Sequence, residues 1–100
     1  MSTWIVRSPP GPGVRVAVKD LIDVRGLPTT AGCAAVADLA DAADADAACL
    51  TGVRAAVADG LASIAGKANL HELAFGITGI NPWYGTPVNP LDPRRVPGGS

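Results

Sequence analysis

Among the hydroxyls and amines of this 100-residue chain, Lys19 and Ser100 are the first candidates for acyl-transfer chemistry. Lys19 closes the apolar run Val16-Ala17-Val18. A lysine at the end of a hydrophobic strand is partly desolvated, which disfavours the ammonium and leaves an amine able to take a proton. Strand C-termini are also where parallel α/β sheets place their ligands. The competing arrangement is an ammonium paired with Asp20 or Asp23 at a solvated strand end, and from one strand alone it has the stronger claim. Ser100 follows Pro97-Gly98-Gly99, an ordinary flexible ending. A serine hydroxyl is a poor nucleophile until a base takes its proton.

Other chemistries fare worse. His71-Glu72 is similar to the start of a zinc-protease helix, but Phe75 stands where a second histidine is required, and His71 is the chain's single histidine. Cys33 and Cys49 offer no metal-ligand spacing and read as small buried or loop residues, with a bridge between them unsupported by any other feature. The stretch 60–67 superficially matches a phosphate-binding loop. Five residues separate Gly60 from Gly66 where the loop has four, and Ala68 replaces the Mg²⁺-binding hydroxyl. Lys67 therefore reads as a structural or surface lysine at a strand end.

Composition narrows the partners. A net charge of −1 with scattered Lys and Arg provides no basic stripe for a phosphate backbone, so no nucleic-acid partner is expected. No stretch reaches the ~20 apolar residues of a membrane span, and the first 13 residues do not have the pattern of a secretory leader. No membrane association is expected, and the default compartment is cytoplasmic.

The elements that would position these residues form an α/β pattern. Residues 1–13, with Pro9, Pro10 and Pro12, read as an extended N-terminal lead without a core of its own. A β-branched strand is expected over residues 14–20, continued by a short extended piece over 21–24. Gly26 and Pro28 then turn the chain, and residues 29–43 read as loop with short helical turns. Asp44 is placed to cap a helix with apolar positions Leu50, Val53, Val57 and Leu61, with Asp46 in its first turn and Gly60 ending it. A second buried strand begins near Leu61, giving a parallel strand-helix-strand crossover. Asn69 is expected to cap a short helix over 70–75 ended by Gly76. The remaining stretch, 76–100, carries five prolines and five glycines without periodicity. Two parallel strands and one helix leave sheet edges and an apolar face uncovered, so the chain reads as part of a larger fold, prone to bind an apolar dye or aggregate.

Several ordered motifs give the pattern an identity. Val18-Lys19-Asp20, Ile22-Asp23-Val24 and Gly26-Leu27-Pro28-Thr29-Thr30-Ala31-Gly32 are followed by Gly66-Lys67-Ala68-Asn69 and Glu72-Leu73-Ala74-Phe75-Gly76. Then come Thr78-Gly79-Ile80-Asn81-Pro82-Trp83-Tyr84-Gly85, the stretch 87–93 and Val96-Pro97-Gly98-Gly99-Ser100. In type and order these resemble the amidase signature family over residues 14–100. The resemblance implies an α/β fold: an N-terminal fragment of a mixed sheet covered by helices, with a partial amidase domain over 14–100 truncated at the glycine-serine signature.

It also implies roles. Lys19 resembles the family's catalytic lysine, acting neutral as the base. Ser100 resembles the first serine of the signature, whose cis peptide lets its hydroxyl relay a proton between lysine and nucleophile. Ala74 and Gly76 fall in a region lining the acyl-binding site, and residues 78–89 in its wall. The nucleophilic serine and oxyanion donors lie downstream in the family, so the 100 residues alone are expected to be inactive. The implied activity is conversion of a small-molecule carboxylic amide to acid plus ammonia or amine, with no metal and no organic cofactor; homodimerisation is compatible with it. Two alternatives stand beside it: the glutamine-hydrolysing component of a tRNA-dependent amidotransferase, and a non-catalytic remnant or interaction module.

Overall fold

The structure, a computed structural model, describes residues 3–100. Its centre is a strand of small residues, β3 (Ala62–Ala68), flanked by β1 (Trp4–Arg7) and β2 (Val14–Lys19) in the order β1-β3-β2. β2 runs parallel to β3, so the chain between them has to cross over the sheet, as expected. The crossover carries α1 (Ala34–Leu39), a 3₁₀ turn over Ala48–Leu50 and α2 (Thr51–Ala58). β1 runs antiparallel to β3, and Ser8 N–H extends the pairing to the Ala65 carbonyl at 2.9 Å. The extended lead thus contributes a strand to the sheet from residue 4 onward; its first two residues lie outside the described ones.

β3 runs further than the apolar pattern foretold, through Gly66 and Lys67 to Ala68. Gly66 makes this feasible. It has a φ of 144°, and a Cβ there would collide with the Val6 carbonyl of β1. Register against β2 shifts at this point, Val16 facing Ile64 and Ala17 facing Gly66, so β3 carries one extra residue. β2 ends at Lys19, where Ile22 N–H returns to the Lys19 carbonyl at 3.0 Å; the expected extension over 21–24 is replaced by this turn.

The core is small. Val18, Val24 and Leu50 are buried, with Val16, Ile22, Leu27, Val53 and Ile64 packed around them. Leu50 and Val53 of the expected helical stripe therefore face the sheet. Leu61 does not, being 65% exposed, because the helix stops first. Gly60, at φ 74°, turns the chain so that its own N–H reaches the Val57 carbonyl and the N–H of Leu61 reaches that of Ala56.

The start of this helix differs from expectation. α2 begins at Thr51 with no side-chain cap, and neither Asp44 nor Asp46 lies in its first turn. Asp46 accepts instead from Arg25 N–H at 2.8 Å and from Arg54 Nε and Nη2 at 2.6 and 3.0 Å. A two-pronged guanidinium contact outweighs the weaker attraction of a helix N-terminus. The Arg54 hydrogen bond, aided by the Arg25 amide, holds the Asp46 carboxyl down at about 2 from an ordinary 3.8. A depressed folded value contributes stability that is present above 3.8 and lost as pH falls through about 2. Asp46→Asn is therefore expected to flatten the acid limb of a thermal-melt series in that window; an unchanged limb would show that the clamp does not couple to folding.

Large apolar side chains remain uncovered, among them Leu39, Phe75, Ile77 and Leu91. This is the unpartnered surface expected of part of a larger fold. Among the described residues no helix is long and apolar enough to cross a membrane, and Cys33 and Cys49 are both unbridged thiols.

Candidate functional site

Lys19 is the last residue of β2, opposite Ala68 in the ladder, and is half-buried. The two carboxylates that were its candidate partners are engaged elsewhere. Asp20 is completely buried, with Oδ2 accepting from Thr30 N–H at 3.1 Å and from the Thr30 hydroxyl. Its Oδ1 lies 2.9 Å from Lys67 Nζ. Asp23 accepts the Thr29 hydroxyl at 2.7 Å.

Lys67 is thus no surface lysine. It is 0% exposed and is the last residue but one of β3, so the structural reading holds and the surface one does not. Its ammonium, ion-paired with Asp20, donates hydrogen bonds to the Pro28 carbonyl at 3.2 Å and to Thr29 Oγ1 at 3.0 Å. A buried charge survives only when paired and hydrogen-bonded, and here every partner comes from the turn after β2. Backbone bonds brace the same turn: Asp20 N–H to the Ala68 carbonyl at 2.9 Å, Ala31 N–H to the Asp20 carbonyl at 3.0 Å. Sequence reasoning missed this centre. Its available signal was a lysine among small apolar residues with two aspartates at the end of the neighbouring strand.

A second loop comes in beside this turn. The expected helix over 70–75 is only a 3₁₀ turn, Glu72–Ala74, in which Leu73 and Ala74 take φ of 57° and 54°. Two left-handed residues cannot continue a right-handed helix. They are held there by the Leu73 N–H, which donates 2.7 Å to the carbonyl of Ala31, itself at φ 53°. Asn69 does not cap a helix; its side-chain nitrogen donates to the Gly85 carbonyl at 2.9 Å. Ala74 and Gly76 are half-buried on this loop. A Cβ on Gly76 would run into the His71 imidazole, whose Nδ1 is 3.2 Å from Thr78 Oγ1. Glu72 accepts Trp83 Nε1–H at 2.6 Å. Among the described residues no group of three or more His, Cys, Asp or Glu gathers as metal ligands.

Asn81 ties the two loops together. It is 1% exposed, and its amide nitrogen donates to the carbonyls of Gly32 and Leu70 at 2.8 and 3.0 Å. Its Oδ1 accepts Trp83 and Tyr84 N–H at 3.0 and 2.9 Å. This is another motif residue that sequence reasoning left without a role. The closing residues follow the same loop: Gly98 N–H donates to the Thr78 carbonyl at 3.1 Å, and Gly99 bridges Thr78. Ser100 comes next and is exposed. All described peptide bonds are trans, and among the described residues no hydrogen bond joins Lys19 to Ser100.

Two open grooves flank these elements. One of about 270 Å³ runs between residues 86–88 and 93–97, next to the segment leading to Ser100. The other, about 750 Å³, is lined by Arg7, Ser8, Pro9, Pro10 and Arg15 and touches none of Lys19, Ala74, Gly76 or Ser100.

Comparison with known proteins gives consistent matches. The family model described as Amidase matches residues 7–100. The chain is 47% identical over 88 residues to an indoleacetamide hydrolase of Pseudomonas savastanoi, covering 88% of this chain and 18% of that protein. Among solved structures it superposes on a glutamyl-tRNA(Gln) amidotransferase chain of Thermotoga maritima with a TM-score of 0.75 and 30% identity, covering 98% of this chain and 22% of that one. A chain from a vestigial protein complex related to the origins of an s-triazine catabolic enzyme gives a TM-score of 0.81 at 30% identity, covering 98% of this chain and 25% of that one. The chain therefore spans about a fifth of the length of the curated relatives it matches.

Proposed function

The chain belongs to the amidase family, its fold matching part of the amidase signature enzymes, and from that premise we propose that it forms the N-terminal portion of a hydrolase that converts a carboxylic amide to acid plus ammonia or amine. Lys19 is the base. Ser100 passes a proton between Lys19 and a nucleophilic serine supplied from beyond these 100 residues, along with the N–H donors for the tetrahedral oxyanion. On collapse of that intermediate the proton returns through Ser100 to the departing nitrogen, and water then releases the acyl group. Ala74 and Gly76 line the acyl side, a placement supported by the strained backbone at Leu73 and Ala74. A cytoplasmic setting belongs to the same reading, in keeping with two unbridged thiols.

The observation that carries this reading is Lys19 at the end of a parallel strand with both neighbouring carboxylates committed to other partners. A base needs that freedom. The similarity to glutamyl-tRNA(Gln) amidotransferase chains supports a second reading, in which the amide is glutamine and the ammonia goes to another component of a complex.

A chimera tests both. This chain replaces its matching 88 residues in the Pseudomonas savastanoi indoleacetamide hydrolase. The chimera is expected to hydrolyse indoleacetamide, while the 100-residue chain alone shows no turnover above background. A folded chimera without activity would sink the reading, and glutaminase activity without indoleacetamide hydrolysis would favour the second.

A further inference from the structure

The chain has two lysines, and the structure gives them opposite surroundings. Lys67 is buried and surrounded by oxygen. Lys19 is half-buried at the end of the adjacent strand. The charged groups on the elements packed around Lys19 are few: Arg15 on its own strand, Lys67 on β3, and Asp20, Asp23 and Arg25 in the turn that follows. Arg25 adds no negative charge, and its amide is held by Asp46. Asp20 and Asp23 are the carboxylates next to Lys19 along the chain, and among the described residues neither forms an ion pair or hydrogen bond with it.

Both lead back to Lys67. Asp20 Oδ1 faces its Nζ at 2.9 Å. Asp23 is reached through Thr29, whose hydroxyl accepts from Lys67 at 3.0 Å and donates to Asp23 Oδ1 at 2.7 Å. One buried ammonium thus orients both carboxylates, the first by direct pairing and the second by polarising the hydroxyl that holds it. We propose that Lys67 is a positioning residue whose task is to sequester Asp20 and Asp23, so that the Lys19 amine stays without a carboxylate partner. This deepens the reading of Lys19 as a base and rests on it for its purpose, but the sequestration itself can be measured without any enzyme activity.

Acylation of ε-amines, read peptide by peptide, resolves the chain's two lysines. The chimera described above is treated with a limiting acetyl N-hydroxysuccinimide ester at pH 8, and the peptides carrying Lys19 and Lys67 are quantified by mass spectrometry over time. Only the free amine reacts, so an acquired carboxylate partner slows labelling. In Lys67→Met, under conditions where the fold persists, Lys19 acetylation is expected to slow about tenfold as Asp20 is released toward it. In Lys67→Met/Asp20→Asn the rate returns to near the unsubstituted value. Thr29→Val keeps the Asp20–Lys67 pair and the Pro28 carbonyl on Lys67 while removing the hydroxyl shared by Lys67 and Asp23; it is expected to slow Lys19 about twofold, while the absence of label on Lys67 certifies the fold.

A purely architectural Lys67 would give the opposite sign, because a loosened turn exposes Lys19 and speeds its labelling. Unchanged or faster Lys19 labelling in Thr29→Val, with Lys67 still protected, overturns the proposal even if Lys67→Met does not fold. Loss of activity on removing Lys19 is a separate outcome, so sequestration and base function fail independently.

Discussion

Lys67→Met lowers the unfolding free energy by about 3–5 kcal/mol, and adding Asp20→Asn to it restores much of the loss. The single change removes the counter-charge facing Oδ1 of a fully buried carboxylate, leaving Thr30 as its remaining partner at that place. Desolvation of an unpaired ion is what makes such changes severe, whereas removing both charges removes the penalty with the attraction. A loss of that size is a large fraction of the about 5–15 kcal/mol by which complete domains are stable, so it is best read in the chimera. Urea unfolding of the unsubstituted protein, Lys67→Met, Asp20→Asn and the double variant forms a complete cycle. A single-variant cost below about 1 kcal/mol would mean that the pair behaves as a surface ion pair and that the turn is held by its backbone bonds alone.

Much of this was readable in the residues, for identifiable reasons. β2 was legible because Val14, Val16 and Val18 put β-branched residues at alternate positions, and the end of α2 was legible because Gly60 can take a positive φ where the apolar stripe runs out. The family motifs carried the identity. What failed were features decided by contacts between segments. Asp46 looks like a helix-start residue by local rules, yet Arg25 and Arg54 claim it from other elements. Residues 70–75 have helical composition, but the Leu73 N–H goes to Ala31, and the backbone pays for that bond with two left-handed residues. Lys67 read as either structural or surface because Gly66 usually ends a strand; here the glycine admits a bulge and a close approach by β1, so the strand continues and its lysine is buried.

The proposed roles of Lys19 and Ser100 differ in what the fold gives each of them. Lys19 occupies a regular strand end braced by the Asp20 amide and the turn beyond it. Ser100 follows a loop bound through Thr78 and is itself exposed. The surroundings of Lys19 are thus set by β2, β3 and the turn beside Lys67, while among the described residues Ser100 is held only through the loop before it. For that reason Lys19 is the sharper test. Alanine removes the proton acceptor outright. Arginine keeps charge and length but does not deprotonate in proteins, so it distinguishes a base from a positively charged anchor.

The measurement is kcat/KM of the chimera with indoleacetamide, with Lys19, Lys19→Ala and Lys19→Arg compared at equal folded concentration. A general base contributes roughly 10²–10⁴-fold, and groups that act as a unit cost more than their separate shares when one is lost. Both variants are therefore expected to lose about 10³-fold or more, carried by kcat with little change in KM. Retention of activity within about threefold in Lys19→Ala, or rescue by Lys19→Arg, would contradict the assignment of Lys19 as the base.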